Sequence, residues 1–103
     1  MADDMRARIE EMLQKSPVLL FMKGTKQFPA CGFSNTVVQI LKQEGVAFDT
    51  VNILADGELR QALKEYSSWP TYPQLYVRGK LVGGCDIVTE MHQSGELATV
   101  LKA

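Results

Sequence analysis

The run Val18-Leu19-Leu20-Phe21-Met22 is apolar at all five positions. That length suits a strand better than a helix, and a strand points successive side chains to opposite faces. A strand apolar on both faces needs cover on both, so it belongs inside a sheet with helices above and below. The flanking sequence agrees. Met5, Ile9, Met12 and Leu13 recur at helical spacing, predicting an amphipathic helix over about 4–15 that Pro17 stops. Residues 23–30, with Gly24 and Pro29, read as a loop. Phe33, Val37, Ile40 and Leu41 predict a second helix ending near Gly45, and 48–53 reads as a second strand. Asp56 is the expected N-cap of a third helix, with Leu59, Ala62, Leu63 and Tyr66 as its buried stripe. After a loop at 69–73, residues 74–77 and 80–82 read as short strands joined at Arg78-Gly79. Gly83-Gly84 ends that hairpin. Asp86 is expected to cap a helix holding Ile87, Val88 and Met91, and Gly95 to set it apart from a last short turn through Leu101.

This α-β-α-β-α-β-β-α order resembles the thioredoxin-like plan, an α/β fold with a four-stranded mixed sheet flanked by helices. The chain has 103 residues, 46% of them apolar, which fits one domain over 1–103 with the 1–15 helix packed on it. Eleven basic residues oppose twelve acidic ones, spread through both halves, which argues against a nucleic-acid or membrane-surface partner. No apolar run is long enough to span a bilayer. The first residues, Met-Ala-Asp-Asp, lack the plan of a secretory signal or of a transit peptide. Two cysteines are too few for a disulfide framework. A reducing, cytoplasmic setting is the expectation, with an organellar mature form left open.

One of those cysteines opens Cys31-Gly32-Phe33-Ser34, placed after the buried strand and at a helix start. In a Cys-x-x-Cys redox site Ser34 would be the resolving thiol, and a serine hydroxyl cannot do that work. Unpaired N–H groups and the helix dipole at that position favour a thiolate, a better nucleophile and a better metal ligand. A cysteine buried as a small hydrophobe is the bland alternative, which Gly32 and the preceding loop oppose. His92 is not read as a ligand, because no second metal-ligand pattern accompanies it.

Lys23-Gly24-Thr25, Cys31-Gly32-Phe33-Ser34, Trp69-Pro70-Thr71-Tyr72-Pro73 and Gly83-Gly84-Cys85-Asp86 together resemble the signature set of the monothiol, CGFS-type glutaredoxins. Each motif is weak alone; four in order over about 16–101 are specific. The resemblance implies a site for glutathione, with Lys23 and Arg60 against its glycyl carboxylate. Arg60 offers a planar fork for that role, whereas Lys64, four residues on, reads as part of a solvated helix face. It implies a cis proline at Pro73, with the Thr71-Tyr72 main chain pairing with the ligand as an added strand would. Tyr72 would then act through its backbone, its side chain mattering less. The N–H groups of Cys85 and Asp86 suit the γ-glutamyl carboxylate, and the Asp86 carboxylate suits the ammonium. Trp69 is read as packing beside the site. Cys85 is either a packing residue or a disulfide partner of Cys31 or glutathione, and sequence does not decide.

Two functions follow. In one, Cys31 attacks glutathionylated proteins and free glutathione releases it, a thiol–disulfide exchange that needs no second cysteine. In the other the chain carries a [2Fe–2S] cluster. Such a cluster takes four thiolates, so two copies supply two Cys31 ligands and two glutathiones the rest, unless Cys85 serves as an inner ligand. The resemblance implies the same glutathione-ligated homodimer, with BolA-like proteins and iron–sulfur acceptor proteins as partners. Seven residues separate Lys23 from Cys31, a longer loop than in the related dithiol proteins, which implies weak enzymatic activity. Cluster storage and transfer is therefore the leading expectation, deglutathionylation the alternative.

Overall fold

A computed structural model describes residues 3–102. The chain runs α1 (Asp3–Lys15), β1 (Val18–Met22), α2 (Gly32–Glu44), β2 (Asp49–Asn52), a 3-10 turn (Ile53–Ala55), α3 (Gly57–Ser67), β3 (Gln74–Val77), β4 (Lys80–Gly83), α4 (Cys85–Ser94) and α5 (Glu96–Lys102). The sheet order is β2-β1-β3-β4. Strand β1 pairs parallel with β2 and antiparallel with β3, and β3 pairs antiparallel with β4. This is the four-stranded mixed sheet of a thioredoxin-like fold.

The alternation of β1 explains its apolar run. Val18, Leu20 and Met22 join a core with Val37, Val38, Leu41, Leu75 and Val88, on the side of α2 and α4. Leu19 and Phe21 join the opposite core with Ile9, Leu13, Leu59 and Leu63, on the side of α1 and α3. Leu20, Phe21 and Met22 are fully buried, and each such side chain contributes about 1.5–3 kcal/mol. A charge on either face of this strand would have no route to water.

The structure corrects the sequence reading in three places. The second strand is shorter than 48–53: Phe48 lies before it, buried in the α2-side core, and Ile53 begins the 3-10 turn. The cause is Asn52, whose side-chain oxygen accepts from the Leu54 N–H and bends the chain out of the strand. Helix α4 begins two residues earlier than expected, with Gly84 rather than Asp86 at its N-cap, and Asp86 stands in its first turn. The last turn is a seven-residue helix, α5, set off by Gly95 at φ 84.

Candidate functional site

Cys31 is itself the N-cap of α2, in extended conformation (φ −148, ψ 137). From there its sulfur faces the open amides of the first helical turn. The thiol makes no fully formed capping hydrogen bond. Its pKa is nonetheless held below the ordinary value, first by the Ser34 amide, then by the Phe33 amide, the Lys23 charge and the Ser34 hydroxyl, with partial burial opposing them. A thiol so placed ionises more readily and is only partly covered.

Ser34 does more than stand in for a cysteine. It is fully buried, and its Oγ accepts from the Lys23 N–H at 3.1 Å, locking the end of β1 to the start of α2. The intervening loop is fixed in turn. Ala30 N–H donates to the Lys23 carbonyl at 2.9 Å, and Thr25 and Phe28 exchange backbone bonds at 3.1 Å. Gly24 N–H donates to Asn52 Oδ1 at 2.9 Å, and Lys26 Nζ donates to the Phe48 carbonyl at 2.5 Å. Phe28 and Phe33, on either side of Cys31, are 82% and 62% exposed, so the thiol has an aromatic rim facing solvent.

Beside this rim lies a cleft of about 460 Å³, a size typical of small-molecule sites. Lys23, Phe33, Arg60, Lys64, Thr71, Tyr72, Pro73, Cys85 and Asp86 all line it, with Trp69 and Gly84. Cys31 is not in the lining itself; its neighbours Lys23 and Phe33 carry it to the rim. Lys64 stands in the cleft wall rather than on a purely solvated face. The Tyr72–Pro73 bond is cis. Among the described residues no hydrogen bond engages the Tyr72 N–H or carbonyl. Cys85 is the first residue of α4, half-buried, with its sulfur 4.0 Å from Thr89 Oγ1, and both cysteines are free thiols. Among the described residues no three His, Cys, Asp or Glu side chains gather as a metal site.

Sequence reasoning missed several supports. The Tyr72 side chain matters after all: it is buried, and its hydroxyl donates to the Arg60 carbonyl at 2.5 Å, tying the Thr71-Tyr72-Pro73 loop to α3. Burial pushes its pKa up to about 12, so it stays a donor at any ordinary pH. Gln74 is fully buried, donates to the Trp69 and Thr71 carbonyls at 3.1 and 3.2 Å, and accepts from Tyr76 at 3.1 Å. A lone polar residue opening an apolar strand was the available signal. The Trp69 indole N–H is buried and finds no partner among the described residues. His92 bridges two helices: its Nδ1 lies 2.6 Å from Glu44 Oε2 and its Nε2 3.1 Å from Gln43 Oε1, tying the far end of α4 to that of α2.

The glutaredoxin family pattern matches residues 18–82. A probable monothiol glutaredoxin 2 of Rickettsia conorii is 59% identical over 92% of this chain and 89% of its own length. This chain belongs to the monothiol glutaredoxins. Its fold superposes on reduced apo GrxS14 of poplar with a TM-score of 0.85, at 55% identity over 94% of this glutaredoxin and 89% of that chain. It superposes on buckwheat glutaredoxin, solved in complex with glutathione, with a TM-score of 0.82, at 25% identity over 99% and 94% of the two chains. Other relatives are longer, and this glutaredoxin spans 20%, 21%, 29% or 61% of their length. None of its described helices is long and apolar enough to cross a membrane.

Proposed function

We propose that this glutaredoxin binds glutathione in the cleft and, through Cys31 and the glutathione thiol, carries a [2Fe–2S] cluster between two copies of the chain for delivery to acceptor proteins. The observation that carries the reading is a single activated thiol, Cys31, at the rim of a cleft whose walls hold three cations and one acid, Lys23, Arg60, Lys64 and Asp86. Glutathione has two carboxylates, an ammonium and an extended backbone, and that donor set fits it. Lys23 and Arg60 take the glycyl carboxylate. The Tyr72 backbone pairs with the peptide. The start of α4 at Cys85 and Asp86 takes the γ-glutamyl end. The glutathione-bound buckwheat relative supports the same ligand.

Cys31 is the thiol with a lowered pKa, and with one such sulfur per chain as ligand a four-thiolate centre draws on a second Cys31 and two glutathione thiols. BolA-like proteins are proposed to replace one copy in a mixed complex, and a reducing compartment such as the cytosol is the proposed setting. The lowered Cys31 pKa also favours a second reading, deglutathionylation by thiol exchange: the Cys31 thiolate takes glutathione from a mixed disulfide, releasing the protein thiolate. Free glutathione then regenerates Cys31 and leaves as glutathione disulfide.

Anaerobic reconstitution with iron, sulfide and glutathione tests the proposal, read by absorbance, native mass and glutathione content. A coloured dimer holding glutathione, lost in Cys31→Ser and kept in Cys85→Ser, is the expected result. An uncoloured monomer overturns the cluster reading, and a coloured dimer without glutathione moves the missing ligands to Cys85. Brisk turnover in a glutathione-coupled reductase assay would put thiol exchange first.

A further inference from the structure

One fully buried polar side chain lies against the inner side of the cleft loop. Gln74 opens β3 immediately after the cis proline and is fully buried. An amide that deep must satisfy its polar atoms locally. Its Nε2 donates to two carbonyls of the loop, Trp69 at 3.1 Å and Thr71 at 3.2 Å. Its Oε1 accepts from the Tyr76 hydroxyl at 3.1 Å. Tyr76 is 2% exposed, and burial pushes its pKa up to about 12, so it remains a donor. The geometry fixes the orientation of the Gln74 amide, because only its nitrogen can donate to carbonyls and only its oxygen can accept from that phenol.

The consequence lies on the other side of the Thr71–Tyr72 peptide. That bond is trans, the cis bond being the next one along. A trans peptide is planar and points its C=O and N–H in opposite directions. Gln74 holds the Thr71 carbonyl toward the interior, so the Tyr72 N–H turns outward. Tyr72 and Thr71 line the cleft, and no described group of the chain pairs with that N–H. The loop cannot easily swivel as a unit, because Trp69 N–H is held by Ser67 Oγ at 3.1 Å and the Tyr72 hydroxyl by the Arg60 carbonyl.

We propose that Gln74 is a positioning residue, which presents the Tyr72 N–H to the ligand's backbone by tethering the carbonyl of the same peptide unit from behind. The role rests on the glutathione reading of the cleft and adds a residue that never touches the ligand. Its logic is preorganisation: a free peptide plane would have to be ordered on binding, whereas a tethered one is already aimed. Binding through the cations is a separate contribution and does not pass through Gln74.

Amide-resolved NMR on the unmodified protein gives a test that needs no variant. In the free protein the Tyr72 amide proton should exchange as an unpaired N–H, and glutathione should slow that exchange and shift the resonance downfield. A Tyr72 amide already protected without ligand overturns the proposal. Gln74→Met, similar in shape and without hydrogen bonds, and Gln74→Met combined with Tyr76→Phe, which leaves no phenol orphaned, extend the test by titration calorimetry. The folded fraction is checked by amide dispersion. Either variant should bind glutathione about tenfold more weakly, the loss of one net hydrogen bond, with the salt dependence contributed by Lys23 and Arg60 unchanged and the Tyr72 shift diminished. Folded variants that bind with unchanged affinity and an unchanged Tyr72 shift overturn the positioning role while leaving the glutathione site standing. A wild-type protein that does not bind glutathione at all overturns the site itself.

Discussion

Ser34 occupies the position where a dithiol site keeps its second sulfur, yet its hydroxyl is used twice. It accepts from Lys23 N–H, and it helps hold the Cys31 pKa down after the stronger effect of its own amide. The sign of the pH effect follows. A lowered pKa means that the thiolate persists to lower pH than in an ordinary cysteine near 8.5. Alkylation of Cys31 by iodoacetamide should therefore reach half its maximal rate below that value. Ser34→Ala keeps the amide and removes the hydroxyl, so its alkylation profile should move upward in pH without reaching that of a free thiol. The same variant leaves Lys23 N–H without its partner, and thermal unfolding should report a loss of about 1 kcal/mol. A profile identical to wild type would show that the hydroxyl adds nothing to the backbone amides and the Lys23 charge.

At the scale of elements, the loop between β1 and α2 decides where that thiol points. Gly24 has φ 92, and a Cβ there would stand 2.4 Å from the Ala30 nitrogen and 2.6 Å from the Phe28 oxygen, both backbone atoms that cannot swing away. Gly24→Ala should cost more than about 1 kcal/mol and disorder the Cys31 rim, seen as a lower melting temperature together with a Cys31 alkylation profile displaced toward that of a free thiol. If stability falls while that profile stays unchanged, the loop does not aim the sulfur. The contrast with Gly84 is one of degree: a Cβ there would meet the Pro73 carbonyl and the Trp69 indole nitrogen, each at 3.3 Å, so the start of α4 is packed close against the cleft loop. Elements of this kind were legible to different depths. Strand β1 follows from an unbroken apolar run of strand length, and the helix stripes from periodicity, because burial repeats with the geometry of the element. The end of β2 was not legible, since it is set by an Asn52 side chain reaching both Leu54 and the distant Gly24. Tyr72 and Gln74 escaped for the same reason. Their partners, Arg60, Trp69, Thr71 and Tyr76, become partners only after the chain has folded. Cys31 could be expected at a helix start from its local sequence, whereas Lys23 and Asp86 were singled out through the motifs that resemble the family, and both line the cleft.

The whole molecule brings separate ends together. Helices α2 and α4 both start at the site, with Cys31 and Cys85 at their N-termini, and His92 and Glu44 tie them at the other end. Two helix N-termini, a cationic face of α3 and the cis-proline loop thus meet at one end of the sheet, where β1 stops and β3 starts. That end of the sheet offers the activated Cys31 sulfur of each chain, and the proposed cluster needs four. If glutathione supplies two of them, the assembly must answer to the concentration of a small molecule. By mass action the equilibrium between coloured dimer and apo chains should depend on free glutathione to a power of about two. Dialysis of the reconstituted dimer against glutathione-free buffer should bleach it and return a species of single-chain mass by gel filtration. Restoring millimolar glutathione with iron and sulfide should rebuild the colour. A centre held entirely by protein sulfurs, Cys31 and Cys85 from two chains, would keep its colour through the same dialysis, because no ligand could diffuse away. The order of the bleaching in glutathione therefore counts the ligands that the protein does not own.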